Sequence, residues 1–167
     1  MKELPIYYIR YPFLAALLYS VPAAIFLFNT SYQNIWILYI GNILFCAMVL
    51  WALIHFNHKV KDEASLPSLF MVGLKITLFG LIIASIFCFI LLAVKYFGFN
   101  VHPAAMPENS VLDQSPSQAG HERSGELLST LFTNTVVINA VLGGLVSALG
   151  ASVAKKNQKT VKGKTMY

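Results

Sequence analysis

The chain has 167 residues, of which 57% are hydrophobic and only 11% charged, with a mean hydropathy of +0.65 and a net charge of +5. Soluble domains run to about 45–50% apolar and about 25% charged residues, so this is not an ordinary soluble domain. Few charges beside 12 Phe and 8 Tyr also exclude a disordered chain, a nucleic-acid-binding tail and a secreted disulfide scaffold.

A transmembrane helix takes about 20 mainly apolar residues to cross a hydrocarbon core of ~30 Å. Residues 6–28, 35–56, 69–97 and 131–154 qualify. None alternates with period two as an outer-membrane strand would. Unpaired backbone amides are too costly in lipid for anything but a helix or a closed barrel. The sequence therefore predicts an all-α integral membrane protein, with residues 1–154 forming one bundle of four transmembrane helices.

Lys2 and Arg10 precede the first span, as in a signal peptide. Residues 12–28 lead instead into Asn29-Thr30-Ser31-Tyr32 with no small-x-small cleavage site, so the span is expected to be retained. The Asn29-Thr30-Ser31 sequon lies in a short loop against the membrane and is read as chance. Pro22 is expected to kink this helix. The short uncharged turn at 29–34 then forces an antiparallel hairpin.

Trp36 and Tyr39 mark one end of the second span, and Trp51 and Phe56 the other. Tyr7, Tyr8 and Tyr11 flank the first span, while Tyr96, Phe97 and Phe99 close the third, as in an aromatic belt. The loop at 57–68 carries Lys59, Lys61, Asp62 and Glu63, and Pro67 opens the third helix. The connection at 98–130 holds Pro103, Pro107 and Pro116 with four acidic residues; loops of that length are functional or disordered. The tail at 155–167 is basic and expected to be unfolded. Its Lys155, Lys156 and Lys159 would lie against anionic lipid headgroups, each worth about 1 kcal/mol.

An even number of crossings puts Lys2, Arg10, Lys59, Lys61 and five tail lysines on one side, with Lys95 and Arg123 on the other. Nine against two predicts that both termini are cytoplasmic. Lys75 lies inside the third span and belongs to neither count. It is about six residues, or ~9 Å, deep, within reach of the headgroups through its flexible stem.

Asn42 and Asn139 lie about 10–12 Å from the same membrane face, and a mutual interhelical hydrogen bond would satisfy both amides. They are expected to face the bundle interior. In the fourth helix Asn139, Gly143, Ser147 and Ala151 repeat every four residues beside Ala140, Gly144, Ala148 and Ser152. The two stripes together predict one broad face for close helix contact. Gly80, Ala84 and Cys88 make a narrower one on the third helix.

His55 and His58 have metal-ligand spacing but lack the third and fourth ligands a site needs, so no metal is expected. Cys46 and Cys88 read as small hydrophobes, and Tyr19 and Ser20 as packing or hydrogen-bonding residues. Phosphate loops, zinc-protease and nucleophile-elbow motifs and paired intramembrane carboxylates are not found in the sequence.

The run Ser68-Leu69-Phe70-Met71-Val72-Gly73-Leu74-Lys75-Ile76-Thr77-Leu78 follows a charged loop and a second helix ending near Phe56. It resembles the bacterial family catalogued as domain of unknown function 4199, small four-helix membrane proteins with a lysine-rich end like Lys155-Lys156. The resemblance extends over residues 35–156 and is detailed only in the third helix. Pro103, Pro107 and Pro116 stand where many members carry a charged helical insert. It implies a fold and a location but no activity.

The expectation is a non-enzymatic inner-membrane scaffold or accessory subunit, without cofactor or metal. Its partners would be the lipid bilayer and a homo-oligomer or larger membrane complex, and not nucleic acid. The alternative is an oligomeric transporter or channel component for a small solute, its path lined by Asn42, Asn139, Ser147 and Lys75.

Overall fold

Helices make up the described chain because its apolar runs carry their own backbone partners. The computed structural model describes residues 4–28, 35–60, 64–95 and 127–164, with side chains over 9–28, 35–60, 64–95 and 127–158. Residues 29–34, where a turn is expected, Lys61 with Asp62 and Glu63, residues 96–126, and the side chains of Tyr7, Tyr8 and Lys159 lie outside the described residues. Helix α1 is Leu4–Phe28, α2 is Trp36–Lys59 and α3 is Leu66–Ala93. Helix α4 covers residues 127–164, with a π-helical stretch, Thr133–Ile138, leading into the α-helix Asn139–Lys164. Among the described residues, four segments are long and apolar enough to cross a membrane: Ile9–Phe28, Trp36–Lys59, Leu66–Ala93 and Leu127–Gln158.

Local chemistry moves several predicted boundaries. Helix α3 opens at Leu66, one residue before the Pro67 expected to open it and three before the predicted apolar span, because the Ser65 side chain caps it by accepting the Ser68 N–H at 3.3 Å. Pro67 lies in the first turn, where its missing N–H costs no intrahelical bond. Helix α2 runs past Phe56 to Lys59. The largest correction is at the end of the chain, where residues 155–164 continue α4 instead of forming an unfolded tail. Ala151, Ala154 and Gln158 extend the buried stripe of Ser147, so this segment has packing to hold it helical.

Helix α1 packs on α2 and α3, and α4 packs on α3 and α2, leaving α1 and α4 as the far pair of a diamond. Small residues line the interior, among them Ala15, Ala16, Ala23, Ala52 and Ala84, all fully buried. Large apolar side chains point outward on every helix, including Phe13, Ile43, Phe89 and Leu149. An exterior this apolar is far beyond the patches a soluble monomer exposes.

Among the described glycines the tightest contacts lie between α3 and α4. A Cβ on Gly73 would stand 2.7 Å from Ser147 Oγ, and one on Gly143 would collide with Thr77. The two glycines therefore seat the two hydroxyl side chains of the opposite helix. The broad face expected on α4 is split by this contact. Asn139, Gly143, Ser147 and Ala151 are buried, whereas Gly144 faces open space and Ala148 and Ser152 are exposed. Successive helical residues are turned by about 100°, so only one of two neighbouring stripes can face one partner.

Gly143→Leu should overpack the contact and destabilise detergent-purified protein by about 1–3 kcal/mol. Gly144→Leu should stay within about 0.5 kcal/mol of the unmodified chain. Thermal unfolding followed by circular dichroism checks the pair, and equal tolerance of both would refute the contact.

Candidate functional site

Polar side chains on a helix meant for an apolar surround must find partners inside the bundle, and here they gather at the π-helical stretch. A π turn disturbs the regular backbone ladder and often marks a functional position. Asn139, the first residue after it, donates its Nδ2 hydrogens to the carbonyls of Asn134 and Thr135, both at 3.3 Å. The side chains of those two residues turn towards α1. The Tyr19 hydroxyl donates to Asn134 Oδ1 at 3.2 Å and pairs with Thr135 Oγ1 at 2.9 Å. Cys88 Sγ of α3 lies 3.6 Å from the same Thr135 oxygen. The Tyr19 ring also lies over Gly41 of α2, where a Cβ would come within 3.1 Å. All four helices thus meet around one tyrosine.

Asn42 and Asn139, the two amides expected in the interior, are there, at 1% and 0% exposure. The hydrogen bond expected between them is not formed. Asn139 spends its N–H groups on its own backbone, because the π stretch puts two carbonyls within reach. Both polar atoms of Asn42, Oδ1 of Asn139 and Oγ1 of the buried Thr77 have no hydrogen-bond partner among the described residues. Ser147 is satisfied within its own helix, donating to the Gly143 carbonyl at 2.6 Å. Ser20 does the same to Ala16 at 2.7 Å. Lys75 stands apart from this set, exposed on the outward side of α3.

A second polar group closes the other end of the bundle. Gln158 is buried and donates through Nε2 to Asn57 Oδ1 of α2. Lys155 Nζ donates to Gln158 Oε1 at 2.8 Å and to the Ala64 carbonyl at 3.1 Å, tying α4 to the loop before α3. Lys155, expected to face lipid, is therefore turned inward and half-buried, while Lys156 is exposed. At the far end Lys95 Nζ donates to the Leu27 carbonyl, one of the last-turn carbonyls that a helix leaves without an internal partner. Gly144 and Ala148 belong to neither polar group.

His55 and His58 are exposed, with the His55 ring 5.9 Å from that of Tyr11. Among the described residues no three His, Cys, Asp or Glu side chains cluster as metal ligands. Both cysteines are free thiols. The sequence reading missed Asn134, Thr135, Asn57 and Gln158. A signal existed for the first two, which precede Asn139 by five and four residues. The chemistry of the layer is that of neutral donors and acceptors that hold helices together. No family model matches the chain, and neither curated proteins nor solved structures yield a match.

Asn139→Leu and Asn42→Leu should act in opposite senses. The first leaves two buried carbonyls short of donors, at about 1–3 kcal/mol. The second removes an amide that has no partner and should be neutral or stabilising. Chemical unfolding in mixed micelles measures both, and a larger loss for Asn42→Leu would contradict the assignment.

Proposed function

We propose that this chain is a non-enzymatic scaffold or accessory subunit of a bacterial inner membrane, with both termini in the cytoplasm. The observation that carries the reading is the second small-residue stripe of α4. Gly144 has open space at its Cβ position, and Ala148 and Ser152 beside it are exposed. A stripe of that kind lets a further transmembrane helix approach closely. The bundle does not need it, since α4 already packs through Gly143 and Ser147. The cytoplasmic placement of the termini is supported by the lysine asymmetry, with the exposed Lys156 meeting anionic headgroups.

The second reading, a small-solute path formed by an oligomer, is favoured by the unpartnered atoms of Asn42, Thr77 and Asn139. Purification in mild detergent with mass analysis separates the two. Under the subunit reading other membrane proteins co-purify, and Ala148→Leu releases them by about ten-fold or more. Under the path reading the chain is a homo-oligomer whose solute flux in vesicles is lost on Asn139→Leu. A monomer with neither property overturns both. The orientation is checked by adding a cysteine at either terminus. A membrane-impermeant maleimide should label it only after the cells are lysed.

A further inference from the structure

We propose that the groove between α2 and α4 is a binding site for one anionic phospholipid. The groove has a volume of about 660 Å³, within the ~300–1,000 Å³ range of small-molecule sites. It opens on the bundle's outer face, where Leu149 and Val153 are 66% and 60% exposed. Its floor is Gly150, against which Leu50 and Leu53 of α2 lie so closely that a Cβ would come within 3.0 and 2.9 Å of them. The absent side chain at 150 thus lets the two helices form a continuous apolar trough.

The occupant follows from the way the lining changes along the trough. Helices α2 and α4 run in the same direction, so their residues descend together towards the lysine-bearing end. Leu50 and Ile54 on α2, with Val146 and Val153 on α4, make the upper part apolar. Asn57, His58 and Asn157 then line the mouth. From Val146 to Asn157 the trough is eleven residues long, or ~16 Å at ~1.5 Å per residue. That is the depth of one leaflet, half of a ~30 Å hydrocarbon core. An acyl chain fits the apolar part and a headgroup the polar mouth. The sign of the headgroup follows from the exposed Lys156, which stands three residues beyond the groove-lining Val153 on α4, at the edge of the same face. A cationic, hydrogen-bonding mouth suits a phosphate oxygen on a net-negative lipid. A further transmembrane helix would match the upper trough but would have no use for a polar, cationic end at headgroup depth.

The site rests on the reading of the chain as a membrane protein but needs no protein partner. The test uses delipidated full-length chain in detergent, titrated with dioleoyl phosphatidylglycerol or dioleoyl phosphatidylcholine and read by native mass spectrometry. One phosphatidylglycerol should be retained per chain, preferred over phosphatidylcholine by about ten-fold. Val153→Trp, which fills the trough from an exposed position, should weaken retention about ten-fold, whereas Ile82→Trp on the exposed side of α3 should not. The double variant His58→Gln, Lys156→Gln should bring the two lipids to equal affinity. Where Val153→Trp fails to fold, a higher thermal midpoint of the unmodified protein in phosphatidylglycerol than in phosphatidylcholine supports the site, and equal midpoints overturn it. Equal binding of both lipids, or retention unchanged by Val153→Trp, also overturns it. So does a dimer that Val153→Trp breaks, since a second copy would then occupy the groove. Each of these results leaves the subunit reading standing, because that reading is tested by co-purification.

Discussion

The approach of α3 and α4 is the contact on which the rest of the interior depends. Thr77 sits on Gly143 and Ser147 on Gly73, four residues apart on each of two antiparallel helices. That double seating sets the rotation of α4 and puts Asn139, one turn from Gly143, into the core. An amide in an apolar interior is costly unless it is bonded. The π-helical winding just before it offers two carbonyls, and Asn139 takes both. The same winding points Asn134 and Thr135 at Tyr19, so one steric fit fixes the partners of α1 as well.

The buried face of α2 shows how polar and apolar layers alternate. Asn42 and Asn57 bracket Phe45, Val49 and Leu53, all fully buried. The two amides are fifteen residues apart, ~22 Å along the axis. Between the Tyr19 layer and the Gln158 layer the buried side chains are mostly apolar, and the hydroxyls of Thr77 and Ser147 among them are seated tightly against Gly143 and Gly73. A solute would need a seam between copies to pass, whereas a structural role needs only the packing already present. This is the physical ground for preferring a scaffold over a conduit.

Much of this was legible in the sequence, and the limits of that legibility have specific causes. Length and hydropathy are properties of local segments, so the four spans could be read directly. The interior placement of Asn42 and Asn139 followed from the cost of an amide in lipid. Their bonding did not, because a π turn depends on tertiary packing and leaves no periodic trace in the apolar pattern. The two small-residue stripes of α4 are equivalent in sequence, and only the positions of Gly73 and Thr77 on another helix decide which one is used. The helical continuation through 155–164 was hidden by composition. Five lysines in a short stretch read as solvated chain, although Ala151, Ala154 and Gln158 carry the buried period on into it.

That continuation changes what the basic end of the protein is. A count of positive charge treats the tail lysines as equivalent, yet the fold gives neighbours different tasks. Lys155 is held by a carbonyl and an amide oxygen and fastens the loop before α3. Lys156, turned by about 100°, faces outward. The helical backbone runs on beyond Gln158 to Lys164, about 9 Å further along the same axis at ~1.5 Å per residue. An unfolded tail would spread its charge over any anionic surface nearby. A helical one is rooted in the bundle through Gln158 and Asn57. Neighbouring lysines at this end therefore differ in what they touch, a distinction that a count of charge does not contain.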